Sequence, residues 1–191
     1  MRIAERLVQR LAAAGMSAPD PQAIGLHERY LSLLAKWNRT INLTSLPLDP
    51  PSDEAIDRLL VEPILASQFA DAPRTIIDIG SGGGSPAIPF WIQCPGASLT
   101  MVESRSRKCA FLAEAVRQIK AGKGQALPVR FEQLLEKHPD LAGSADIVTL
   151  RAVRLDHQVH RLVGALLKPT GRVYHFADAL KIVDCSTWNK G

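Results

Sequence analysis

The chain has 191 residues, of which 46% are hydrophobic and 22% are charged. This size and composition are typical of one globular domain and leave no room for two full catalytic domains. The net charge of +4 suits a nucleic-acid partner without requiring one. No apolar run approaches the ~20 residues that cross a bilayer, and the N-terminus resembles an amphipathic helix more than a signal peptide. We therefore expect a cytoplasmic protein with no membrane partner.

Helical periodicity dominates the N-terminal part of the chain. Apolar residues recur at steps of three and four over residues 2–14, 26–41 and 56–65, the spacing of amphipathic helices that each bury one face. Turn-forming Gly, Pro and Asp residues separate these stretches. We therefore expect residues 1–72 to form a helical N-terminal extension.

After residue 73 the pattern changes to short apolar runs with helical stretches between them. The predicted strands cover residues 75–79, 98–102, 129–131, 146–150 and 172–176, with one more around 180–183. This alternation is typical of a mostly parallel sheet built by right-handed crossovers. We predict an α/β fold with a doubly wound sheet over residues 73–191, joined to the extension in a single domain, 1–191.

A glycine-rich loop follows the first predicted strand directly. Residues 80–84 read Gly-Ser-Gly-Gly-Gly, and a helix is expected to start near Ile88. Glycines allow positive φ angles and let a ligand approach the backbone closely, while the helix N-terminus offers unpaired amides. Because ligands of open α/β sheets bind at this end of the strands, we expect the loop to bind a nucleoside-containing cofactor.

The spacing within the loop discriminates between cofactors. The dinucleotide fingerprint Gly-x-Gly-x-x-Gly fails when counted from Gly80, because Ser85 takes the sixth position. Counting from Gly82 places Ala87 there, a tolerated variant that leaves NAD as an alternative. Gly-x-Gly-x-Gly with Asp78 two residues before it resembles motif I of the S-adenosylmethionine methyltransferases. We therefore predict cofactor contacts at Asp78, Gly80 and Gly82, and a glycine turn without a ligand remains a second alternative.

Three further residues follow predicted strand ends. Glu103 comes directly after the second strand, where a carboxylate can accept hydrogen bonds from both ribose hydroxyls. Phe131 and Glu132 end the third strand, where an aromatic face and a polar group would lie beside the adenine. Core packing and a solvated charge are the alternative for this pair.

Other segments carry signals that cofactor binding does not require, above all Trp37-Asn38 followed by Ile41-Asn42-Leu43-Thr44. Similar matches occur at residues 30–31, 86–89, 102–104, 110–112, 151–152 and 166–169. Together with the glycine loop, these segments resemble the glucose-inhibited division protein B family. Members of that family are N7-guanosine methyltransferases of 16S ribosomal RNA.

The resemblance implies a Rossmann-like class I methyltransferase fold, S-adenosylmethionine as cofactor, and 16S ribosomal RNA or the small ribosomal subunit as partner. It also implies cofactor contacts at Gly80, Ser85, Phe131, Glu132 and Arg151. The N7 atom of guanine carries a lone pair at neutral pH, so alignment of the reacting atoms replaces a general base. We assign the candidate catalytic residue, Arg151, a place near the cofactor and target base; an ion pair within the sheet is the alternative.

The chain departs from the family pattern at several positions. Residues 58–62 read Arg-Leu-Leu-Val-Glu in place of His-Leu-Leu-Asp-Ser, residues 85–87 read Ser-Pro-Ala in place of Phe-Pro-Gly, and Leu150 and Thr170 replace a serine and a turn glycine. The first exchange is expected to remove polar residues that face the site.

The remaining expectations concern partners. Basic residues that suit RNA phosphates occur in the extension and after the second strand, at Arg29, Lys36, Arg39, Arg58, Arg105, Arg107, Lys108, Arg117, Lys120 and Lys123. We expect a monomer. We also expect no metal site, because His157 and His160 share a helix face but have no third ligand. Two other functions stay open: a non-catalytic RNA-binding or ribosome-assembly factor, and a methyltransferase of a small molecule or protein.

Overall fold

The computed structural model describes residues 2–189, and a six-stranded sheet lies at its centre. The strands are β1 (Thr75–Ile79), β2 (Ser98–Val102), β3 (Gly124–Leu127), β4 (Ala145–Arg151), β5 (Leu167–Phe176) and β6 (Leu180–Asp184). Their order across the sheet is β3-β2-β1-β4-β5-β6. The first five run parallel and β6 pairs antiparallel to β5. The strand order therefore reverses between β1 and β4, the position at which open α/β sheets bind ligands.

Helices cover both faces of this sheet. They are α1 (Ile3–Ala13), α2 (Pro21–Asn38), α3 (Asp53–Ile56), α4 (Glu62–Ser67), α5 (Ala87–Ile92), α6 (Ser106–Ile119), α7 (Leu134–Lys137), α8 (His157–Leu166) and α9 (Cys185–Trp188). A π-helical turn, Asp57–Val61, connects α3 to α4. Helices α1, α2 and α4–α6 pack with Ile76 in one apolar cluster, and α7–α9 pack with Ile77 in a second. Because neighbouring strand residues point to opposite faces, these clusters form two cores on either side of the sheet.

The predicted α/β sheet and its helical extension are confirmed in outline. Strands β1 and β2 have the predicted bounds, and the runs at 146–150, 172–176 and 180–183 lie inside β4, β5 and β6. The three helical stretches of the extension correspond to α1, α2 and the continuous series α3, π-turn and α4. The division of one domain into an extension, residues 1–72, and a core, residues 73–191, stays a prediction. Among residues 2–189, no helix is both long and apolar enough to cross a membrane.

The predicted strand at residues 129–131 is wrong. The third strand is Gly124–Leu127, and Phe131 begins a 3-10 turn that ends at Gln133. β3 is an edge strand that pairs with β2, and its tight packing favours a small residue. A Cβ atom at Gly124 would lie 2.9 Å from Cγ1 of Val116. The strand therefore lacks the apolar run on which the prediction relied.

Candidate functional site

A cleft of about 510 Å³ opens at the carboxyl ends of β1, β2 and β4, where the strand order reverses. The glycine loop and Glu103 form one wall, and residues 43–46 of the extension form the other. Arg58, Leu59, Ser85 and Arg151 also line it. An adjoining recess of about 480 Å³ shares Gly80 and Glu103 with the cleft and extends to Phe131 and Glu132. The two cavities therefore lie side by side at the strand ends, with Gly80, Glu103 and Arg105 between them.

The glycine loop takes a conformation that side chains oppose. Gly80 has a φ of +74° and Gly84 a φ of +85°, in the left-handed region that glycine tolerates best. A Cβ atom at Gly80 would lie 2.7 Å from Cγ2 of Val153, and one at Gly84 would lie 2.7 Å from Cδ1 of Ile88. These contacts require glycine at both positions, and because Gly80, Gly82 and Gly83 line the cleft, the loop presents bare backbone to it.

Asp78 lies beneath this loop, not on the cleft wall. Its side chain is buried, and Thr149 of the neighbouring strand donates a hydrogen bond of 2.5 Å to its carboxylate. Burial raises the pKa of Asp78 to about 6. The structure thus places the predicted cofactor contact at Asp78 where it joins β1 to β4 and supports the loop from below.

Glu103 is held at the junction of the two cavities. One carboxylate oxygen accepts a 2.9 Å hydrogen bond from the Gly82 amide, and the other accepts a 2.8 Å bond from the Arg105 amide. A carboxylate offers about four lone-pair directions, so two backbone bonds leave acceptor capacity for a ligand. Glu103 therefore combines a fixed position with free acceptor sites, as ribose recognition needs.

Phe131 and Glu132 reach the site from a different element than predicted. They belong to the 3-10 turn after β3, yet they line the recess together with Gly80 and Glu103. Phe131 is half-buried and Glu132 is exposed. The structure thus brings these two predicted residues together with the glycine loop, although the predicted strand is wrong.

Arg151 ends β4 and forms part of the cleft wall. Its guanidinium donates to Ser85 Oγ at 3.0 Å, to Glu62 Oε2 at 2.7 Å and to the carbonyl of Arg58. It also lies 4.8 Å from the centre of the Phe176 ring. Burial lowers the pKa of Arg151, while the nearby Glu62 carboxylate raises it. Arg151 is therefore both a cleft residue and an ion-pair partner, and the pair joins it to α4.

The extension also forms part of the cleft, a role that the sequence analysis did not assign to it. The side-chain oxygen of Asn38 accepts hydrogen bonds from the amides of Leu43 and Thr44 at 2.9 and 3.0 Å, and its amide group donates to the Thr44 carbonyl at 3.1 Å. Tyr30 donates a 2.7 Å hydrogen bond to the Gly83 carbonyl. The Trp-Asn…Ile-Asn-Leu-Thr segment was the available signal, and its asparagine shapes the second wall of the cleft.

Some of the basic residues predicted to contact RNA line the site, whereas others bind the protein itself. Arg105 and Lys108 line the cleft, and with Arg107 they also line a neighbouring surface recess beside Thr40 and Asn42. Two of the other predicted RNA contacts bind the protein itself: Arg29 donates to the Gln118 carbonyl and Arg39 pairs with Asp49. Within residues 2–189 no group of three or more His, Cys, Asp or Glu side chains has a metal-binding arrangement.

The fold and the site together define a Rossmann-like class I S-adenosylmethionine-dependent methyltransferase. A protein of Methanococcus maripaludis assigned to this class is 19% identical and covers 76% of this chain and 61% of its own, with a TM-score of 0.53. A SAM-dependent methyltransferase of Aquifex aeolicus is 12% identical and covers 62% of this chain and 64% of its own, with a TM-score of 0.51. At these identities the likeness supports the fold.

Sequence comparison gives the family. The family model of rRNA small subunit methyltransferase G matches residues 24–182. A protein of Stenotrophomonas maltophilia named ribosomal RNA small subunit methyltransferase G is 38% identical over 170 residues, which are 88% of this chain and 74% of that protein. One of the same name from Dichelobacter nodosus is 41% identical over 68% of this chain and 60% of its own length. This chain belongs to the rRNA small subunit methyltransferase G family.

Proposed function

We propose that this chain transfers the methyl group of S-adenosylmethionine to N7 of a guanosine in 16S ribosomal RNA. The observation that carries the proposal is the cleft itself. Its first wall combines the bare glycine loop with the fixed carboxylate of Glu103, and its second wall is the family-specific segment 43–46. A nucleoside cofactor site thus faces a wall that general cofactor binding does not require.

The residues present fit the cofactor. Glu103 would accept hydrogen bonds from the ribose hydroxyls. Phe131 and Glu132 would lie beside the adenine. Gly80 and Gly82 would leave room for close contact with the backbone. When bound, S-adenosylmethionine supplies an electrophilic methyl group on a positively charged sulfur. Asp78 would act indirectly, by supporting the loop from below.

The main task of the protein in this reaction would be to align N7 of the guanine with the methyl group of the cofactor. The N7 lone pair is available at neutral pH, so no side chain has to remove a proton before methyl transfer. Holding two reactants in line contributes roughly 7–11 kcal/mol in favourable cases. The walls of the cleft would supply that order, with Arg151 and Ser85 beside the cofactor and the target base. We propose Arg151 as the residue that contacts the reacting groups.

The RNA would approach over the basic rim. Arg105 and Lys108 reach both the cleft and the adjoining surface recess, and Arg107 lies beside them. Such charges bind phosphates without reading sequence. Because a base in folded RNA is stacked, the target guanine would be exposed or flipped to reach the cleft. We propose a monomer that acts in the cytoplasm on 16S ribosomal RNA or the small ribosomal subunit.

Calorimetric titration with S-adenosylmethionine tests the cofactor site. Gly80→Asp adds a Cβ atom 2.7 Å from Cγ2 of Val153, and a carboxylate, to a positive-φ residue that lines the cleft, and we expect binding to fall below detection. The matched control is Gly96→Asp, which carries the same exchange at a positive φ of +90° with no atom within 4 Å of the added Cβ. It should bind like the wild type. Methyl transfer to unmodified 16S RNA and to small subunits then tests the substrate.

Three outcomes would contradict the proposal. Cofactor binding by Gly80→Asp at wild-type strength would remove the glycine loop from the site. A folded wild type that binds no cofactor in the presence of RNA would exclude the methyltransferase. Salt-dependent RNA binding under those conditions would favour a non-catalytic RNA-binding or assembly factor.

A further inference from the structure

Pro63 interrupts the backbone hydrogen-bond ladder of the helix where the π-turn meets α4. The amide of Glu62 donates to the carbonyl of Asp57, five residues back, and this bond closes the π-turn. Proline has no N–H, so Pro63 cannot donate to Leu59 or Arg58, the carbonyls four and five residues before it. These two acceptors are therefore left without a donor from Pro63, at the point where the helix reaches the cleft wall.

Residues of the glycine-loop side use those two carbonyls. The Ser85 hydroxyl donates to the Leu59 carbonyl at 2.9 Å, and the Arg151 guanidinium donates to the Arg58 carbonyl. A hydroxyl has one proton to donate. Because Ser85 gives its proton to Leu59, its oxygen is free to accept the 3.0 Å hydrogen bond from Arg151. The two carbonyls that Pro63 leaves free thus orient the side chains of Ser85 and Arg151.

Glu62 completes this arrangement. Its carboxylate accepts a 2.7 Å hydrogen bond from Arg151, whose side chain is 14% exposed, and the Phe176 ring lies against the guanidinium. An arginine held this tightly beside a cleft keeps its positive charge there. S-adenosylmethionine carries a positive sulfur, which an uncompensated guanidinium would repel. The carboxylate of Glu62 offsets that charge.

We propose that Glu62 is a positioning residue that fixes Arg151 and neutralises its charge, so that the cleft accepts a cationic cofactor. This inference rests on the proposed function. It also gives the unusual residues of this chain a joint role, because Glu62 and Ser85 stand at two of its departures from the family pattern and bind the same guanidinium. Glu62, one of the exchanged residues at 58–62, therefore supplies a polar contact to a cleft residue.

The test compares two ligands that differ in charge. S-adenosylmethionine has a positive sulfur, and S-adenosylhomocysteine has a neutral one. We expect Glu62→Gln to weaken binding of S-adenosylmethionine about tenfold, as loss of a nearby opposite charge predicts, and to change binding of S-adenosylhomocysteine less than about twofold. Calorimetry measures both without catalysis.

Three control variants separate charge from structure. Glu54→Gln removes an exposed negative charge from α3 and should leave both affinities unchanged. Glu62→Asp keeps the charge and should keep the wild-type ratio of the two affinities, which also covers the case in which Glu62→Gln fails to fold. Ser85→Ala removes the hydrogen bond to Arg151 but no charge, so any loss should be equal for the two ligands.

The outcomes distinguish the two proposals. Equal weakening of both ligands in Glu62→Gln, or no weakening, would overturn the role of Glu62 while leaving the cofactor site intact. A changed ratio in Glu62→Asp would do the same. Absence of binding by the wild type with either ligand would overturn the proposed function and this inference with it.

Discussion

The two walls of the cleft are built in different ways. The core wall is backbone, shaped by the glycines that follow β1 and by the amides that Glu103 binds. The extension wall is a loop whose shape depends on one side chain, because Asn38 binds both Leu43 and Thr44. The core wall follows from general rules of α/β sheets, whereas the extension wall depends on the side-chain hydrogen bonds of Asn38. Each wall can therefore be disrupted separately.

The core and the extension each contain a buried ionisable group, and the pKa values of the two groups are shifted in opposite directions. Burial lowers the pKa of His27 on α2 to about 3, whereas burial raises the pKa of Asp78 on β1 to about 6. Both shifts favour the neutral form. Their consequences for stability are opposite: His27 makes the folded state less stable as the pH falls, and Asp78 makes it less stable as the pH rises from about 4 to 6.

The largest effect is expected at Asn38. Asn38→Ala removes three hydrogen bonds to the backbone of the extension wall, and at about 1 kcal/mol each the free energy of unfolding should fall by about 3 kcal/mol. Urea titration measures this loss. Asn42→Ala, at an exposed residue of the same loop, is the control and should change stability by less than about 0.5 kcal/mol. Equal losses in the two variants would show that the extension wall does not depend on Asn38.

The next effect concerns pH. His27 has an ordinary pKa of 6.5 when unfolded and about 3 when folded, so the unfolded state binds more protons between these values. Stability is therefore lost as the pH falls below about 6.5, by about 2 kcal/mol between pH 7 and pH 5. His27→Gln should remove this loss, and unfolding at a series of pH values measures it. His157→Gln, at an exposed histidine, should retain the wild-type slope; an unchanged slope in His27→Gln would refute the assignment.

The smallest effect compares two buried tyrosines, one in each region. The Tyr30 hydroxyl binds the Gly83 carbonyl, so Tyr30→Phe should cost about 1–2 kcal/mol. The Tyr174 hydroxyl has no hydrogen-bond partner among the described residues, so Tyr174→Phe should be neutral or slightly stabilising. Thermal unfolding of the two variants gives the difference. A larger loss at Tyr174 would reverse the comparison.

The sheet was largely predictable because its central strands have a clear local sequence pattern. β1 and β2 are short apolar runs bounded by turn residues, and both had the predicted bounds. The edge strand β3 escaped prediction because contacts with Val116 favour glycine at its start. Its residues Gly-Gln-Ala-Leu resemble a loop when read in isolation. These residues form a strand because they pair with β2. A local sequence pattern does not contain that pairing.

The site was predictable to a similar extent. The glycine loop, Glu103 and Arg151 lie at one cleft, as expected from strand ends that share an edge of the sheet. The sequence does not distinguish a carboxylate that faces the cleft from one that lies beneath it, and so Asp78 was expected to contact the cofactor. The contact between Glu62 and Arg151 was not predicted either, because the two residues lie 89 positions apart in the sequence.

Contacts between the extension and the core span long stretches of sequence. Tyr30 binds Gly83 across 53 residues, Trp37 binds Glu114 across 77, and Arg151 binds Arg58 across 93. During synthesis the extension leaves the ribosome first, but Tyr30 and Trp37 of α2 cannot form these hydrogen bonds until Gly83 and Glu114 have followed. Since non-local contacts form slowly, closure of the cleft should be among the last steps of folding. Helix α2 can pack against α1 as soon as both are made, but the part of it that contacts α6 would lack its partner until more than half of residues 2–189 have been made.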